Sequence, residues 1–399
     1  MKLTGTHLGI AVILTYFVSQ SCMANEIYVN QVGDNTNLTI TQEGDDNTIT
    51  GLSGGTSKAT LSGNNTSSTY DQDGDRNAIK VYKSAGNGIT EATQTGNDNE
   101  AFLDCHGNNC VLDVTQTGDD NYVAAEVGDG GGDYDQSVTI TQDGDDNLVV
   151  VEANGDDNTI VIDQDGNNHM VYGYGNTPLT GDRNTLTLTQ NGSQYEQAEI
   201  AVIGNDNTVD GYQGGGGESN FGRLVLTGDD NNIKIWQGKQ IDGATDSTEG
   251  GDHDAYVTIT GDNNVFHSAQ TDQAANCCWA SHELTASIEG DSNDVELSQR
   301  KNGAHTMDVD IDGDYNNVEA YQKGQSNTVS LDLYLTGNSN LVDVLQHGGG
   351  GHSATINLSS VNGPAYNFSL EQHSSSAKSY TMTSVCTNPS GCSISVTQN

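Results

Sequence analysis

The chemically capable side chains of this 399-residue chain are seven cysteines, ten histidines and 55 acidic residues, and their spacing favours cross-linking over catalysis. Cys105 and Cys110 bracket His-Gly-Asn-Asn, and Cys386 and Cys392 bracket Thr-Asn-Pro-Ser-Gly. In an oxidising compartment such pairs can close as turn-spanning disulfides. Each would close only a short loop, so each would stabilise less than a long-range bridge. Cys277 and Cys278 are adjacent beside Trp279, with His267 and His282 on either side. A zinc site needs four spaced ligands, whereas vicinal cysteines more often form a strained disulfide or a link to another chain. Asp45-Asp46, Asp119-Asp120, Asp145-Asp146, Asp156-Asp157 and Asp229-Asp230 offer paired carboxylates to calcium or another divalent cation. Left solvated, the same charges would slow aggregation. No nucleophile motif, metal-ligand spacing or phosphate loop stands out, so neither an enzyme nor a required cofactor is expected.

The element that positions these groups is a repeat of eleven residues, Asn-x-φ-x-φ-x-Gln-x-Gly-x-x, with φ apolar. It reads in Asn158-x-Ile160-x-Ile162-x-Gln164, Asn184-x-Leu186-x-Leu188-x-Gln190 and Asn231-x-Ile233-x-Ile235-x-Gln237. It returns in Asn293-x-Val295-x-Leu297-x-Gln299, and in the pairs Asn316/Gln322 and Asn340/Gln346. A fixed short period marks a solenoid. In a strand, residues i, i+2, i+4 and i+6 share a face, so Asn and Gln point inward with the apolar pair. Buried amides are costly unless paired, and stacking lets each bond to its counterpart one rung above and below. The residues after Gln, commonly x-Gly-Asp-Asp, suit a tight turn with left-handed backbone. The expected fold is all-β: a β-solenoid with two strands per coil of about 22 residues, giving about fifteen coils stacked as cross-β ladders. At ~4.8 Å per rung the stack is ~70 Å long, with its sheets ~10 Å apart.

Longer turns are expected at Gly128–Tyr134, Asn176–Arg183, Gly214–Ser219, Gly238–Asp252, Thr271–Ser281 and His347–Gly351, after each of which the phase resumes. Cys105 and Cys110 fall on the Gln and Asn positions around a turn, and so do Cys386 and Cys392, which strengthens the two disulfide pairings. The frame runs to Cys392-x-Ile394-x-Val396-x-Gln398 without a polar cap. An uncapped rung exposes backbone N–H and C=O groups and can template another chain.

Residues 1–24 read as a signal peptide: Lys2, an apolar run from Leu8 to Val18, and Ser21-Cys22-Met23-Ala24 with cleavage after Ala24. The run is too short to span a membrane, so no membrane insertion is expected. Residues 25–399 read as one repeat domain of an exported chain, secreted or at the cell surface. With 13 basic residues against 55 acidic ones and a formal charge of −42, a nucleic-acid partner is not expected.

Six segments carry the recognition unit Gln-x-Gly-x-x-Asn in one phase: Gln42 to Asn47, Gln72 to Asn77, Gln94 to Asn99, Gln116 to Asn121, Gln142 to Asn147 and Gln322 to Asn327. This pattern resembles the curlin repeat of curli amyloid subunits. The resemblance implies an extracellular β-solenoid that self-associates, or associates with other curlin-like subunits, into fibres for biofilm matrix and adhesion. The chain is longer and more acidic than a usual curlin subunit and carries cysteines and long turns. A second reading is a monomeric, calcium-stabilised extracellular solenoid that binds a surface or glycan through its outer face.

Overall fold

The computed structural model describes residues 12–16, 25–27, 29–31, 35, 37–51, 59–61, 66–83, 89–105, 110–127, 135–173, 179–192, 195–215, 220–238, 252–271, 281–290, 292–300, 305–312, 317–323, 329–337, 340–346, 352–360, 366–372, 378–385 and 392–398. Among these, every regular element is a β-strand, and the pairings between them are parallel. The chain forms two compact units, Met1–Arg183 and Asn184–Asn399. Each is a two-sheet β-solenoid in which the chain passes back and forth between the sheets.

The strand Ser137–Asp143 shows why these sequences fold this way. Val138, Ile140 and Gln142 are buried, Ser137, Thr139 and Thr141 are half-buried, and Asp143 is exposed. Val138 stacks in register on Ile160, Ile140 on Ile162 and Gln142 on Gln164. A slip by one residue would turn all of these outward, so the apolar alternation sets the register. β-Branched and threonine side chains suit both faces of such a pleat.

In the first unit one sheet carries the glutamines; it contains Asn37–Glu43, Ser67–Asp73, Ile89–Thr95, Val111–Thr117, Ser137–Asp143 and Thr159–Gly166. The strands Ala78–Lys83, Glu100–Cys105, Tyr122–Val127 and Leu148–Asn154 stack in the opposite sheet. Val12–Tyr16 also pairs with Asn37–Glu43, placing Tyr16 at the register of Gln42. The rest of the expected leader lies outside the described residues. In the second unit the glutamine sheet contains Thr185–Gly192, Thr208–Gly215, Asn232–Gln237, Val265–Thr271 and Asp294–Arg300. Facing it are Glu196–Ile203, Asn220–Thr227, Asp252–Thr260, Ser281–Glu289 and His305–Asp312.

The two units place their tight turns differently. In the first, the turn leaving the glutamine strand is short, with positive-φ glycines at Gly74, Gly96, Gly118 and Gly144, and the entering turn is short as well only from Gly155 onward. In the second, the short turn enters the glutamine strand, at Gly204, Gly228 and Gly261. Insertions therefore collect on opposite sides of the glutamine strand in the two units. The expected long turn at Asn176–Arg183 needs correction. Leu179–Thr180 is a strand, and Gly181 and Arg183 form a tight turn with φ +122° and +56°.

Candidate functional site: the stacked ladders

Gln42, Gln72, Gln94, Gln116, Gln142 and Gln164 are all buried on successive rungs of the first unit. Each Nε2 donates to the next Oε1: Gln42 to Gln72 at 2.7 Å, Gln72 to Gln94 and Gln94 to Gln116 at 2.8 Å, Gln116 to Gln142 and Gln142 to Gln164 at 2.9 Å. The second N–H of each amide crosses to the facing sheet. Gln94 donates to Ala78 O, Gln116 to Glu100 O, Gln142 to Tyr122 O and Gln164 to Leu148 O, at 3.1–3.2 Å. One column of side chains thus ties rung to rung and sheet to sheet. In the second unit Gln190 donates to Gln213, Gln213 to Gln237 and Gln237 to Gln270 at 2.7, 2.9 and 3.4 Å. Further along, the direction is reversed: Gln372 donates to Gln346 and Gln398 to Gln372. Gln299 is buried and donates to Glu283 O; Gln322 lies in the strand Asn317–Lys323.

The asparagines bond differently from the expected amide-to-amide column. Asn47, Asn77, Asn99, Asn121 and Asn147 are buried just after the tight turn. Their Oδ1 accepts the backbone N–H of the next rung, as from Asn77 to Asn47 at 2.9 Å and from Asn99 to Asn77 at 3.1 Å. Their Nδ2 donates to the next turn glycine, as from Asn77 to Gly96 O and Asn99 to Gly118 O at 2.7 Å. Amide-to-amide bonds accompany these only in places, such as Asn121 Nδ2 to Asn99 Oδ1 at 3.0 Å. The side chain is one methylene shorter than that of Gln, so it stays beside the backbone and clasps the turn. Asn158 clasps Gly181 and Asn184 clasps Gly204, both at 2.7 Å, and Asn231 clasps Gly261 at 3.0 Å. The Asn293 backbone N–H donates to Asn264 Oδ1. Asn340 opens the strand Asn340–Val344, and Asn316 lies outside the described residues.

A third ladder runs through the turns, whose paired acids the sequence offered either to a divalent cation or to solvent. The backbone N–H of Asp45 donates to Asp75 Oδ1, Asp75 to Asn97, Asn97 to Asp119, Asp119 to Asp145 and Asp145 to Asn167, all within 2.7–3.0 Å. The first acid of each pair is therefore a backbone acceptor. The second, as at Asp120 and Asp146, takes left-handed φ of +59°. In this column an Arg76 guanidinium bonded to Asp98 at 2.5 Å holds that carboxyl below its usual range. Asp120 is raised by partial desolvation and by the neighbouring carboxylates of Asp98, Asp146 and Asp119. The glycines stack as tightly: a Cβ on Gly118, whose φ is +111°, would lie 2.1 Å from Gly144 O.

Cys110 is buried in the inward position ahead of Leu112, Cys105 closes the strand Glu100–Cys105, and Cys392 opens Cys392–Gln398. Cys386, Cys277 and Cys278 lie outside the described residues. His267 stands half-buried at the register of Lys234, and burial and that lysine push its pKa down. His282 aligns instead with His253 in the facing sheet. Among the described residues, no group of three or more His, Cys, Asp or Glu could hold a metal ion, and no helix is long and apolar enough to cross a membrane. The outer face carries features no motif announced: Arg223 bonds Glu199 at 2.5 Å and lies over Phe221 and Tyr256.

Residues 135–166 match the family model of the Curlin associated repeat. The chain carries a curlin repeat. The match covers three strands and the tight turns at Gly144 and Gly155, a stretch with no insertion on either side. Outside these residues the same inward column of buried glutamines continues. No curated protein and no solved structure matches the chain.

Proposed function

We propose that this chain is an exported, non-enzymatic structural protein that stacks with copies of itself, rung on rung, into curli-like amyloid fibres or a surface adhesin for biofilm matrix and cell adhesion. The supporting observation is the edge strand Cys392–Gln398. Its Ile394, Val396 and Gln398 are only half-buried, whereas the residues in register beneath them, Phe368, Leu370 and Gln372, are buried. A further rung of the same pattern would bury the apolar pair and extend the glutamine column. Residues 1–24 are the leader and are removed after Ala24. In the mature chain the Asn37–Glu43 edge, which Val12–Tyr16 covers here, passes to another copy. Cys105 with Cys110, and Cys386 with Cys392, close turn-spanning disulfides that brace individual coils.

The test is incubation of purified residues 25–399 at neutral pH, followed by thioflavin fluorescence and electron microscopy, with and without preformed seeds. Seeded growth of unbranched fibres is expected. Protein that stays soluble and monodisperse for days, with seeds present, overturns the fibre reading. Mass spectrometry of non-reduced digests should find the two cysteine pairings without crossing between them.

A further inference from the structure

In the first unit, the sheet that faces the glutamines turns two apolar columns of side chains outward. In one, Tyr122 stacks on Leu148 and Leu148 on Met170. In the other, Phe102 stacks on Ala124, Ala124 on Val150 and Val150 on Tyr172. The alternate residues Val123, Val149 and Val171 are buried, so both columns lie on the outside. Val150 is 39% exposed and the rest are half-buried. The Phe102 and Tyr122 rings pack 5.4 Å apart. Lys80 Nζ lies 4.0 Å from the Phe102 ring centroid and bonds Glu100, so the two charges at this end of the face neutralise one another. Glu126 and Glu152 stack beside the columns, at their margin. The other outer faces are more polar. In the second unit the corresponding positions bring Glu199, Arg223, Asp254 and Glu283 in beside Phe221 and Tyr256. On the glutamine sheet of the first unit they hold threonines and acids, such as Thr41 on Asp71 and Glu91 on Asp113.

We propose that this face receives the same face of a second copy of the chain, sheet against sheet, so that fibres pair side by side. The inference rests on the end-to-end stacking proposed above. Parallel sheets are ordinarily covered on both faces, and a copy of this chain is a partner whose rungs repeat at the same ~4.8 Å. A half-turn about an axis parallel to the stack, between the two columns, reverses the strands and lays each column over the other on level rungs. Tyr122 then meets the partner's Ala124, and Ala124 the partner's Tyr122. On the next rung Leu148 meets the partner's Val150, and at the end of the face Lys80 meets the partner's Ala78. Large side chains fall opposite smaller ones, which is the condition for interdigitation in a dry interface between sheets. Glu100, opposite Phe102 in this arrangement, keeps its own Lys80 as the neutralising charge.

Area decides when the pairing occurs. The strands from Ala78–Lys83 to Met170–Gly173 span ~24 Å along the stack, and two outward positions take ~14 Å of strand, on the order of 300 Å² per copy. A stable pair of free proteins needs ~800 Å² from each partner. Single chains therefore stay apart, and pairing follows stacking, when many such faces engage at once. Charge acts in the same direction. The formal charge of −42 repels neighbouring chains and an anionic membrane alike, and salt screens the first of these enough for apolar faces to meet. Glu126 and Glu152 fall outside the two apolar columns, as the polar rim of a protein interface does.

The experiment is electron microscopy of fibres grown from the mature chain at ~0.15 M salt, scored for the fraction of fibre length lying in side-by-side pairs. Ala124→Lys with Val150→Lys puts charge into the proposed contact while lowering the net negative charge. Thr258→Lys with Thr285→Lys makes the same change of charge at exposed positions on the outer face of the second unit. The first variant should still grow fibres and lose paired length by at least ~10-fold, because a buried charge is costly. The second should stay within ~2-fold of the parent or pair more, because it carries less repulsion. If the first variant does not fold, Val150→Thr keeps the shape, adds a hydroxyl and should reduce paired length ~3-fold. Parent fibres that stay single, unchanged pairing in the first variant that folds, or an equal loss in the second-unit variant overturns the proposal and leaves the stacking reading standing. A parent that grows no fibres at all overturns both.

Discussion

Gln116 Nε2 donates to Gln142 Oε1 across 2.9 Å although 26 residues separate them, while the next bond along the ladder, Gln94 to Gln116, spans only 22. The added residues fall between Val127 and Asp135 and leave the ladder unbroken. Gln237 still reaches Gln270 over 33 residues. Loop length is thermodynamically cheap, because each doubling adds only ~0.6 kcal/mol of closure entropy. A mispaired buried amide is expensive, at ~1–3 kcal/mol for each unsatisfied group. The ladder therefore sets the register and the turns accommodate it.

Gln142→Ala removes the acceptor of Gln116 and the donor to Gln164. A loss of ~2–4 kcal/mol is expected in urea unfolding. Asp163→Asn, on the exposed face beside Asp165 and Asp143, should change stability by ~0.5 kcal/mol or less. Reversal of this order would mean that inside and outside are exchanged.

Gly118→Ala should be among the most damaging small substitutions in the first unit. Its φ is +111°, and the added Cβ would meet the Gly144 carbonyl oxygen at 2.1 Å. Since the obstruction is backbone and φ is positive, ~3 kcal/mol or more is expected. Hydrogen exchange should show protection lost first at the Gly118 and Gly144 turns. A near-neutral melt would refute this close stacking.

Asp119→Ala takes the acceptor from the Asn97 backbone N–H, bonded at 2.7 Å, and from its side-chain amide at 3.0 Å. Asp119→Asn keeps an oxygen there and removes the charge. The alanine variant should lose ~0.5–1.5 kcal/mol, and the asparagine variant should stay near the parent. If both are equally destabilised, charge rather than hydrogen bonding governs the turn. In assembly assays low salt should slow the parent and have less effect on the asparagine variant, because screening of the Asp column is weakest there.

Glu196 has a folded-state pKa of about 8, raised chiefly by burial and partly offset by the bond from the Asn220 N–H to Oε2. An acid raised on folding contributes its full stability below its unfolded value near 4.5 and loses it as pH rises to about 8. Glu196→Gln should remove that decline and stabilise the second unit at pH 8 by on the order of a few kcal/mol. Urea melts at pH 5, 6.5 and 8 measure it. Equal slopes in parent and variant would contradict the assignment.

The alternation of Ile160, Ile162 and Gln164 after Asn158 was sufficient to read a strand and its inward face, because one strand's parity is local and needs no partner. The glycine turns were legible for the same reason, since Gly-Asp-Asp-Asn encodes its own backbone conformation. Which atoms the amides would meet was not local. Gln reaches the next rung's amide while Asn, one methylene shorter, is held by a glycine carbonyl, and that difference appears only when rungs are stacked. The acids of Asp119 and Asp145 read as repelling surface charge until the preceding turn's N–H came within 3.0 Å. The shared register of His253, His282 and His305 was not legible either, because loops of unequal length separate them in sequence. Parallel register alone brings them to one position. Sequence determined the unit and its inward face; the stacking of coils decided which distant side chains became neighbours, because hydrogen bonds and burial between rungs depend on register and are indifferent to the length of chain between them.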